Sequence, residues 1–379
     1  MTEDYRNAFY SAGGEDDDDF GVEDYEELED DDEFDGGDFE GHGREEKDDD
    51  GFRTFSLEEL VGDNELFHRP VFLEEFVGQE MLKNKLSTSI KAAKQKNEAL
   101  EHVLFYGPPG LGKTSLANII AKRMGGRLRI AKGSARARES ELAAALSNLE
   151  HNDVLVIDAI HRLPPKIVET LISAMEDFVL RLTIGKGEHA NRVQLPLSKF
   201  TLIGATTRLD LCSSSLLTKF GMVEELAPYS NEELVPIVTK GAWGLDVSIS
   251  EGVVKAVAAR SKGTPKIALR ILKRVCELAM IRGLSSVDEN FASAALDFLC
   301  LDSCGLGKWE KRILRAIVEL FDGGPVELSA LSAVIKAESE VVEDLYEPYL
   351  LQQKFIEITQ QERRATRRAW EYLGKTPPD

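Results

Sequence analysis

Hydrophobic and polar positions follow a regular pattern from about residue 67 onward. Short apolar runs that end in a small or acidic residue are typical of buried strands, and longer stretches between them carry apolar residues at helical spacing. Strands that alternate with helices predict an α/β domain with a parallel sheet. The strand patterns are HVLFYG, DVLVIDAI and FTLIGATT, and the helical patterns are GKTSLANIIAKRM and KIVETLISAMEDF.

The remainder of the chain predicts two further parts. From SNEELVPIV to about residue 306 the pattern is mostly helical. From about residue 307, three short helical patterns precede a basic, weakly strand-like stretch. These changes of pattern predict four segments: 1–66, 67–231, 232–306 and 307–379.

The negative charge of the chain lies at its N-terminus. Residues 1–50, here called the acidic leader, contain 24 acidic and three basic residues, so the leader alone accounts for the net charge of −21. Such a segment repels itself and buries little apolar surface, which predicts a disordered tail over 1–66. The alternative is a mimic of DNA phosphates in a basic groove, because aromatic residues are spaced among the acids: Phe20, Tyr25, Phe34 and Phe39.

The composition also bears on the compartment. No apolar run approaches the roughly 18 residues that span a membrane, and the acidic N-terminus differs from signal and transit peptides. We therefore expect a cytoplasmic protein without a membrane partner. Its four cysteines fit reduced thiols, since Cys300 and Cys304 lack a second pair at zinc-ligand spacing.

The strongest chemical motif is GPPGLGKTS, Gly107–Ser115, which fits G-x-x-x-x-G-K-[ST] between a predicted strand and a predicted helix. Its glycines let backbone N–H groups point at phosphates, and the helix N-terminus favours negative charge. Lys113 would reach the β- and γ-phosphates, and the Thr114 hydroxyl would ligate Mg²⁺. Asp158, at the end of VLVID, is suited to hold the Mg²⁺ through water.

From HRPVFLEEFVGQE to AWEYLG, roughly 300 residues, the sequence resembles RuvB, the family of bacterial AAA+ motors that drive branch migration of Holliday junctions. The resemblance implies an α/β AAA+ P-loop ATPase domain (67–231), a helical lid domain (232–306) and a C-terminal winged-helix DNA-binding domain (307–379). It also implies ATP with Mg²⁺, and hexameric rings that RuvA loads onto duplex DNA. The matching stretches include HVLFYGPPGLGKTSLANIIA, AMEDF, IGKG, FTLIGATTR, KGTPKIALRILKRV and YEPYLLQQKFI.

The resemblance carries several nucleotide contacts over to this chain. One hydroxyl of the pair Thr206 and Thr207 would sense the γ-phosphate, and Thr207 is the preferred candidate. For Phe178 and Tyr229, core packing is an alternative that their residue types alone leave open. The implied cofactor-binding residues are Arg69, Gly110, Lys113, Thr114, Ser115, Glu176, Asp177, Phe178 and Tyr229.

The departures from the family occur at catalytic positions. Ala159 stands where the family has the glutamate that polarises the attacking water, and a positioned base contributes on the order of 10²–10⁴ in rate. Leu217 and Lys219 replace two arginines in the segment that supplies the arginine finger, and Lys266 replaces an arginine of the lid. Another carboxylate, Asp153 or Glu139, could instead serve as base. His161 is interpreted as structural, because the family carries it beside its glutamate.

The DNA-binding part is also altered. The third helix of the winged-helix pattern carries Glu343, Asp344 and Glu347, which predicts a poor phosphate reader. Ile358 falls where the family has an arginine. Non-specific binding to duplex phosphates through the wing is one interpretation, and a solvated basic turn is the other. The candidate DNA-binding residues are Arg363, Arg364, Arg367 and Arg368.

A predicted hairpin, residues 180–197, matches the one with which the family docks on RuvA; an ordinary surface hairpin is the alternative. Three hypotheses follow. The first is a RuvB-like ATP-binding subunit that hydrolyses ATP weakly or not at all and assembles, as a homo- or hetero-hexamer, on duplex or four-way junction DNA with RuvA or a catalytic RuvB. The second is an active branch-migration motor with rearranged catalytic groups. The third is a non-catalytic adaptor or inhibitor that uses the acidic leader as a DNA mimic.

Overall fold

The computed structural model describes residues 52, 54–55, 69–184, 191–243, 245, 247–359 and 362–377, with backbone alone for 182–184, 191–192 and 340. The described residues fall into two compact units, one ending at Ala227 and the other beginning at Pro228, which we describe one at a time. The leader with its aromatic residues and the tip of the predicted hairpin, residues 185–190, lie outside the described residues.

The first unit is built on a six-stranded sheet. Its strands are β1 (Thr54–Phe55), β2 (Val103–Tyr106), β3 (Leu128–Lys132), β4 (Val154–Asp158), β7 (Thr201–Thr206) and β8 (Met222–Glu225), in the spatial order β1-β3-β4-β7-β2-β8. Five strands of this sheet are parallel, as the sequence predicts: β3, β4, β7, β2 and β8. Strand β1 pairs antiparallel with β3. The runs predicted as buried strands are β2, β4 and β7. Almost all of their side chains are buried, because helices cover both faces of a parallel sheet.

Strand β1 corrects one prediction from the sequence. The tail over 1–66 was expected to be disordered throughout, yet residues 54–55 pair with Ala131 and Ile130 of β3. Phe52 is 2% exposed and belongs to the main hydrophobic cluster of this unit. The acidic composition of the preceding residues hides Phe52 and β1, which are ordered because the edge of the sheet and the hydrophobic cluster supply their partners.

The helices of the first unit connect the parallel strands, and an antiparallel hairpin leaves the sheet. The hairpin strands β5 (Val179–Ile184) and β6 (Asn191–Pro196) pair with Leu180 opposite Leu195, so the predicted hairpin is present. The helices are α1 (Glu80–Lys96), α2 (Lys113–Met124), α3 (Glu139–Ser147), α4 (Pro165–Asp177) and the short α5 (Ser214–Leu217), with single 3-10 turns at Ile160–Arg162 and Leu209–Leu211.

The second unit starts with a helical part that matches the predicted lid. Strands β9 (Ser248–Ile249) and β10 (Ser286–Val287) form a small parallel pair beside the helices. The helices are α6 (Asn231–Ala242), α7 (Glu251–Arg260), α8 (Pro265–Ile281) and α9 (Glu289–Phe298). Among the described residues of either unit, none of the helices combines the length and apolarity that a membrane span requires.

The second unit ends in helices and a three-stranded antiparallel sheet. The strands are β11 (Val326–Glu327), β12 (Ile356–Thr359) and β13 (Glu362–Ala365), with β13 in the middle. Their common core includes Leu314, Phe355 and Trp370. The helices are α10 (Lys308–Arg315, continued by a π-turn at Ala316–Leu320), α11 (Leu328–Ile335), α12 (Ser339–Val341, continued by a π-turn at Val342–Tyr346), α13 (Glu347–Gln352) and α14 (Arg367–Tyr372).

Candidate nucleotide site and DNA-binding surface

The predicted phosphate loop lies between β2 and α2, at the carboxyl end of the parallel strands. Gly107 has φ +132°, and a Cβ atom there would lie 2.4 Å from the carbonyl oxygen of Leu226. Gly112, the residue before α2, has φ +102°, and its Cβ atom would lie 3.0 Å from the ring of Phe76. Both positions therefore require glycine, and the loop keeps its backbone open toward a ligand.

Lys113 begins helix α2 and is buried. Its Nζ atom donates hydrogen bonds to the carbonyl oxygens of Gly107 and Pro108, each at 2.8 Å. The ammonium group is thus held inside the curve of the loop, where phosphate oxygens would exchange for these carbonyls. Thr114 and Ser115 follow in the first turn and are half-buried.

A candidate magnesium position lies at the same end of the sheet. Asp158 ends β4 with an exposed side chain, and its Oδ1 atom accepts the N–H of Ala159 at 2.9 Å. Strand β4 is separated from β2 only by β7, so Asp158 and Thr114, which follows β2 at the start of α2, lie at the same edge of the sheet. Hard oxygen ligands of this kind, completed by phosphate and water, suit Mg²⁺. The glycine cradle, the buried lysine and these oxygens together fit Mg²⁺-nucleotide.

Ala159 occupies a constrained position next to this edge. Its φ of 48° is left-handed, an uncommon conformation for a residue with a side chain. Gly133 packs against it so closely that a Cβ atom on Gly133 would lie 2.3 Å from the Ala159 carbonyl oxygen. The backbone at this position is therefore constrained, and the side chain that it presents is a methyl group.

Asp153 does not replace the missing carboxylate. It lies at the other end of β4 from Asp158, about 16 Å away for a strand of this length. Its Oδ1 atom accepts the N–H of Arg127 at 2.7 Å, its Oδ2 atom accepts the N–H of Glu150 at 2.9 Å, and the residue is 2% exposed. The hypothesis that Asp153 serves as base is therefore wrong. Glu139 forms an ion pair with Lys166 at 2.6 Å and stays an alternative that no contact here decides.

His161, three residues past the end of β4, contacts the threonine pair at the end of β7. Its Nδ1 atom lies 2.8 Å from the hydroxyl of Thr206, which also accepts the N–H of Arg208 at 3.0 Å. Burial, followed by the nearby charges of Arg162 and Arg208, lowers the pKa of His161, which favours the neutral ring. Thr206 is thus engaged inside the protein, and the half-buried Thr207 stays the candidate for contact with the γ-phosphate.

The finger segment lies at the opposite end of the sheet. The N–H of Gly221 donates to the carbonyl oxygen of His102, which precedes β2, whereas the phosphate loop follows β2. Lys219, two residues before Gly221, pairs with Glu176 at 2.5 Å. Leu217 packs against the main hydrophobic cluster. This segment therefore faces away from the phosphate loop of its own subunit.

The same geometry places Glu176, Asp177 and Phe178 away from the phosphate loop of their own subunit. The ring of Phe178 packs edge-to-face on Phe200 at 5.8 Å, at the amino end of the strands, so core packing is the better interpretation. Asp177 is paired with Arg181 at 2.5 Å beside it. The phosphate loop of the same subunit lies a strand length away, about 13 Å. Within one subunit these three residues do not line the nucleotide site.

Three further residues were predicted to contact the nucleotide, and they lie on other parts of the chain than the phosphate loop and strand β4. Arg69 is half-buried at the start of the continuous described chain. In the second unit, Tyr229 is 5% exposed and its N–H donates to the Gly263 carbonyl at 2.8 Å, which favours a packing role. Lys266 is exposed in the first turn of α8. Nucleotide contacts of these residues stay predictions.

The four candidate arginines of the winged helix differ in exposure: one is buried and three are exposed. Arg363 on β13 is buried, and its guanidinium donates to the Glu347 carboxylate at 2.6 and 3.0 Å. The prediction that Arg363 contacts DNA is therefore wrong for this structure. Glu347 is buried as well, so it does not repel phosphates from the surface of the third helix. Glu343 and Asp344 are half-buried.

The other three arginines are exposed. Arg364 lies next to Arg363 on β13 but points outward, opposite Glu357 of β12. Arg367 pairs with Glu371 at 2.8 Å, and Arg368 donates to the Gln353 carbonyl and stacks over Phe355 at 4.6 Å. Ile358, where the family has arginine, is 41% exposed. The tip of the wing, Gln360–Gln361, lies outside the described residues.

Comparisons with known proteins agree with this architecture. Three family models match in succession: the Holliday junction DNA helicase RuvB P-loop domain at residues 68–226, the RuvB AAA lid domain at 229–302 and the RuvB C-terminal winged helix domain at 303–374. The predicted α/β AAA+ P-loop domain, lid and winged helix are thereby confirmed.

Individual relatives cover nearly the same span. The Holliday junction branch migration complex subunit RuvB of Chloroflexus aurantiacus is 48% identical over 311 residues, 82% of this chain and 89% of that protein. The corresponding subunit of Pseudothermotoga lettingae is 44% identical over 306 residues, 81% of this chain and 89% of that protein. The solved structure of the Thermotoga maritima RuvB Holliday junction branch migration motor is 40% identical, with a TM-score of 0.75 over 82% of this chain and 99% of that one. The chain belongs to the RuvB family.

Proposed function

We propose that this chain is an ATP-binding subunit of a RuvB-type branch-migration assembly on Holliday junction DNA, and that it hydrolyses ATP slowly or not at all. The observation that carries the proposal is the end of β4. Asp158 is exposed beside the phosphate loop, whereas the next residue offers a methyl group and Asp153 is engaged elsewhere. The residues that would bind Mg²⁺-ATP are present, and the position after Asp158 offers no carboxylate to activate water.

The individual residues have distinct roles in this proposal. ATP supplies the phosphates, and Lys113 with the loop N–H groups would neutralise them. Thr114 and Asp158 would hold Mg²⁺, and the hydroxyl of Thr207 would contact the γ-phosphate. At Ala159 no side-chain atom accepts a proton or orients water. ATP would then serve as a ligand for assembly, which stabilises the state that binds it.

The proposed partners follow from the family. The relatives are named as branch migration complex subunits. We expect a hexameric ring, homomeric or mixed with a catalytic RuvB, on duplex or four-way junction DNA. The hairpin 180–197 would contact a RuvA-like protein, and Leu195, 41% exposed on β6, is a suitable probe. Leu195→Asp should abolish co-elution with RuvA, whereas Lys199→Asp, just past the hairpin, should not.

An active motor is the second candidate. Identity of 48% to a branch migration subunit favours it, and in this candidate Glu139, the first residue of α3, would leave its ion pair with Lys166 and serve as base on assembly. A third candidate, a non-catalytic adaptor or inhibitor, rests on the charge of −21 concentrated in the leader.

Single-turnover hydrolysis of ATP distinguishes the ATP-binding subunit that hydrolyses weakly from the active motor. The protein is measured alone, and again with RuvA and junction DNA, beside a catalytic RuvB. We expect nucleotide binding with hydrolysis slower by on the order of 10² or more, since a positioned base contributes that much. Hydrolysis equal to that of the catalytic RuvB would overturn the proposal.

A further inference from the structure

The chain carries a structural element that precedes its match to the RuvB family. That match begins at residue 68, whereas Phe52 and strand β1 lie before it. Phe52 is 2% exposed in the hydrophobic cluster that contains Ala137 and Leu142. The segment Phe52–Phe55 thus adds a strand and a buried side chain to the edge of the ATPase sheet, directly after the acidic leader.

Glu141 attaches this segment to the loop between β3 and α3. Its Oε2 atom accepts the N–H of Phe52 at 2.8 Å and the N–H of Arg138 at 2.9 Å. Because one oxygen serves both donors, the two backbone nitrogens lie within about 6 Å of each other. The point at which the leader joins the folded domain is therefore beside Arg138.

The direction of β1 determines which face of the domain the leader meets. Strand β1 is antiparallel to β3, so its N-terminal end lies at the carboxyl end of the parallel strands. Lys132 and Asp158 are register partners at that end, where the phosphate loop also lies. The leader consequently enters the domain on its nucleotide-binding side.

The chain at this point carries a run of basic residues, although Lys132 lies beside the exposed Asp158 and Arg138 pairs with Glu141 at 3.9 Å. Residues 128–138 contain four basic side chains and no acidic one, and we call them the basic run: Arg129, Lys132, Arg136 and Arg138. Lys132, Arg136 and Arg138 are exposed. Asp48–Asp50 precede Phe52 by two to four residues, so their backbone lies within about 14 Å of it even when fully extended. That upper bound is nearly two Debye lengths at physiological salt, about 8 Å each, so the attraction is substantial only where the leader comes closer to these cations than full extension allows.

We propose that the acidic leader docks on the basic run of its own ATPase domain, anchored by strand β1, and that it competes there with duplex DNA. Both ligands are polyanions and would occupy the same cations. Tethering gives the leader a local concentration in the millimolar range, which a weak electrostatic contact needs in order to compete. The inference does not depend on whether the protein hydrolyses ATP.

A double-mutant cycle on the full-length protein tests the competition. The first change replaces every Asp and Glu of residues 1–50 by Asn and Gln, and the second is Arg136→Ser with Arg138→Ser. Binding of a short labelled duplex is followed by fluorescence anisotropy. Neutralising the leader should raise the affinity about tenfold when the basic run is intact, and by no more than about twofold when it is altered.

Lys91→Ser with Lys96→Ser is the matched control, since it removes two exposed charges from α1. In that background the leader should still lower the affinity about tenfold. An equal gain in all backgrounds would mean that the leader repels DNA from a distance, and no gain would mean that it does not compete. Either result would overturn the proposal.

Zero-length cross-linking with a carbodiimide reports the contact directly. Carboxylates of the leader should couple to Lys132 in preference to Lys91 and Lys96, as mapped by mass spectrometry. Phe52→Ser, which removes the buried side chain that anchors this segment, should reduce the yield at Lys132. Equal coupling to all three lysines would contradict docking on the basic run.

Discussion

The Nζ atom of Lys219 lies 2.5 Å from the Oε1 atom of Glu176 in the same subunit, at the end of the sheet opposite its phosphate loop. The RuvB finger segment would have to reach a neighbouring subunit from this position. The pair is half-exposed, so its contribution to stability is at most about 1 kcal/mol and it can open. A lysine nevertheless lacks the planar, bidentate fork of an arginine, and its own carboxylate partner competes with the phosphate.

Lys219→Arg should therefore give the subunit an arginine finger that acts at the nucleotide site of its neighbour. In mixed rings with a catalytic RuvB, which supplies the missing base, we expect hydrolysis at the neighbouring site to rise by at least about tenfold, since a complete finger contributes 10³–10⁵. Single-turnover kinetics of the mixed rings is the measurement. Lys199→Arg, an exposed position before β7, is the control. Unchanged hydrolysis in Lys219→Arg rings would contradict a role for Lys219 as finger.

Ala159→Glu should restore little hydrolysis in rings of this subunit alone. Residue 159 directly follows Asp158 at the end of β4, so a glutamate there supplies a carboxylate, but Leu217 and Lys219 still provide no arginine for the transition-state charge. We expect an increase of less than about tenfold in single-turnover rate, because catalytic groups that act together are not additive. Ala159→Gln separates the effect of a carboxylate from that of side-chain size. Full RuvB-like hydrolysis by Ala159→Glu would show that the finger substitutions are harmless.

Lys113→Ala should abolish tight nucleotide binding. The buried ammonium is the main positive charge inside the loop, and loss of its charge-assisted hydrogen bonds should weaken ATP by about 10- to 100-fold. A titration with a fluorescent ATP analogue measures the effect. Lys122→Ala removes an exposed charge from the far end of α2 and should leave the affinity unchanged. Retention of wild-type affinity in Lys113→Ala would place the nucleotide elsewhere.

Glu347→Gln should destabilise the winged helix. It removes the charge that compensates the buried guanidinium of Arg363, a change that typically costs about 3–5 kcal/mol. Hydrogen exchange of β12 and β13 should therefore accelerate before that of the ATPase sheet. Glu357→Gln, exposed on β12, should leave exchange unaffected. Equal exchange in both variants would show that the buried pair contributes nothing to the wing.

Arg364→Ala and Arg367→Ala should weaken duplex binding without loss of fold. The plot of log affinity against log salt concentration has a negative slope. If each guanidinium neutralises one phosphate, each substitution makes this slope shallower by about 1. Lys255→Ala, on α7 of the lid, should leave the slope unchanged. Identical slopes for all variants would favour the alternative in which the wing is only a solvated basic turn.

The sequence by itself determined the features that depend on neighbours along the chain. The apolar runs of β2, β4 and β7 predict buried parallel strands. A strand that is covered on both faces has apolar residues at consecutive positions, and this pattern is visible in the sequence. The phosphate loop is equally local, since its glycines and Lys113 act through consecutive backbone groups. The absence of a carboxylate at Ala159 is visible as a residue type, without any knowledge of distance.

Only the tertiary structure decided which charged groups are available. In the wing, strand alternation sends one of Arg363 and Arg364 inward, but Glu347 decides which, because a buried guanidinium needs a carboxylate partner. Asp153 was excluded as a base by its place at the far end of β4. Phe52 and strand β1 are ordered by the hydrophobic cluster and by pairing with β3, which no pattern within residues 1–66 reveals. Burial and pairing depend on what the fold brings opposite a residue, and that information is not local in the chain.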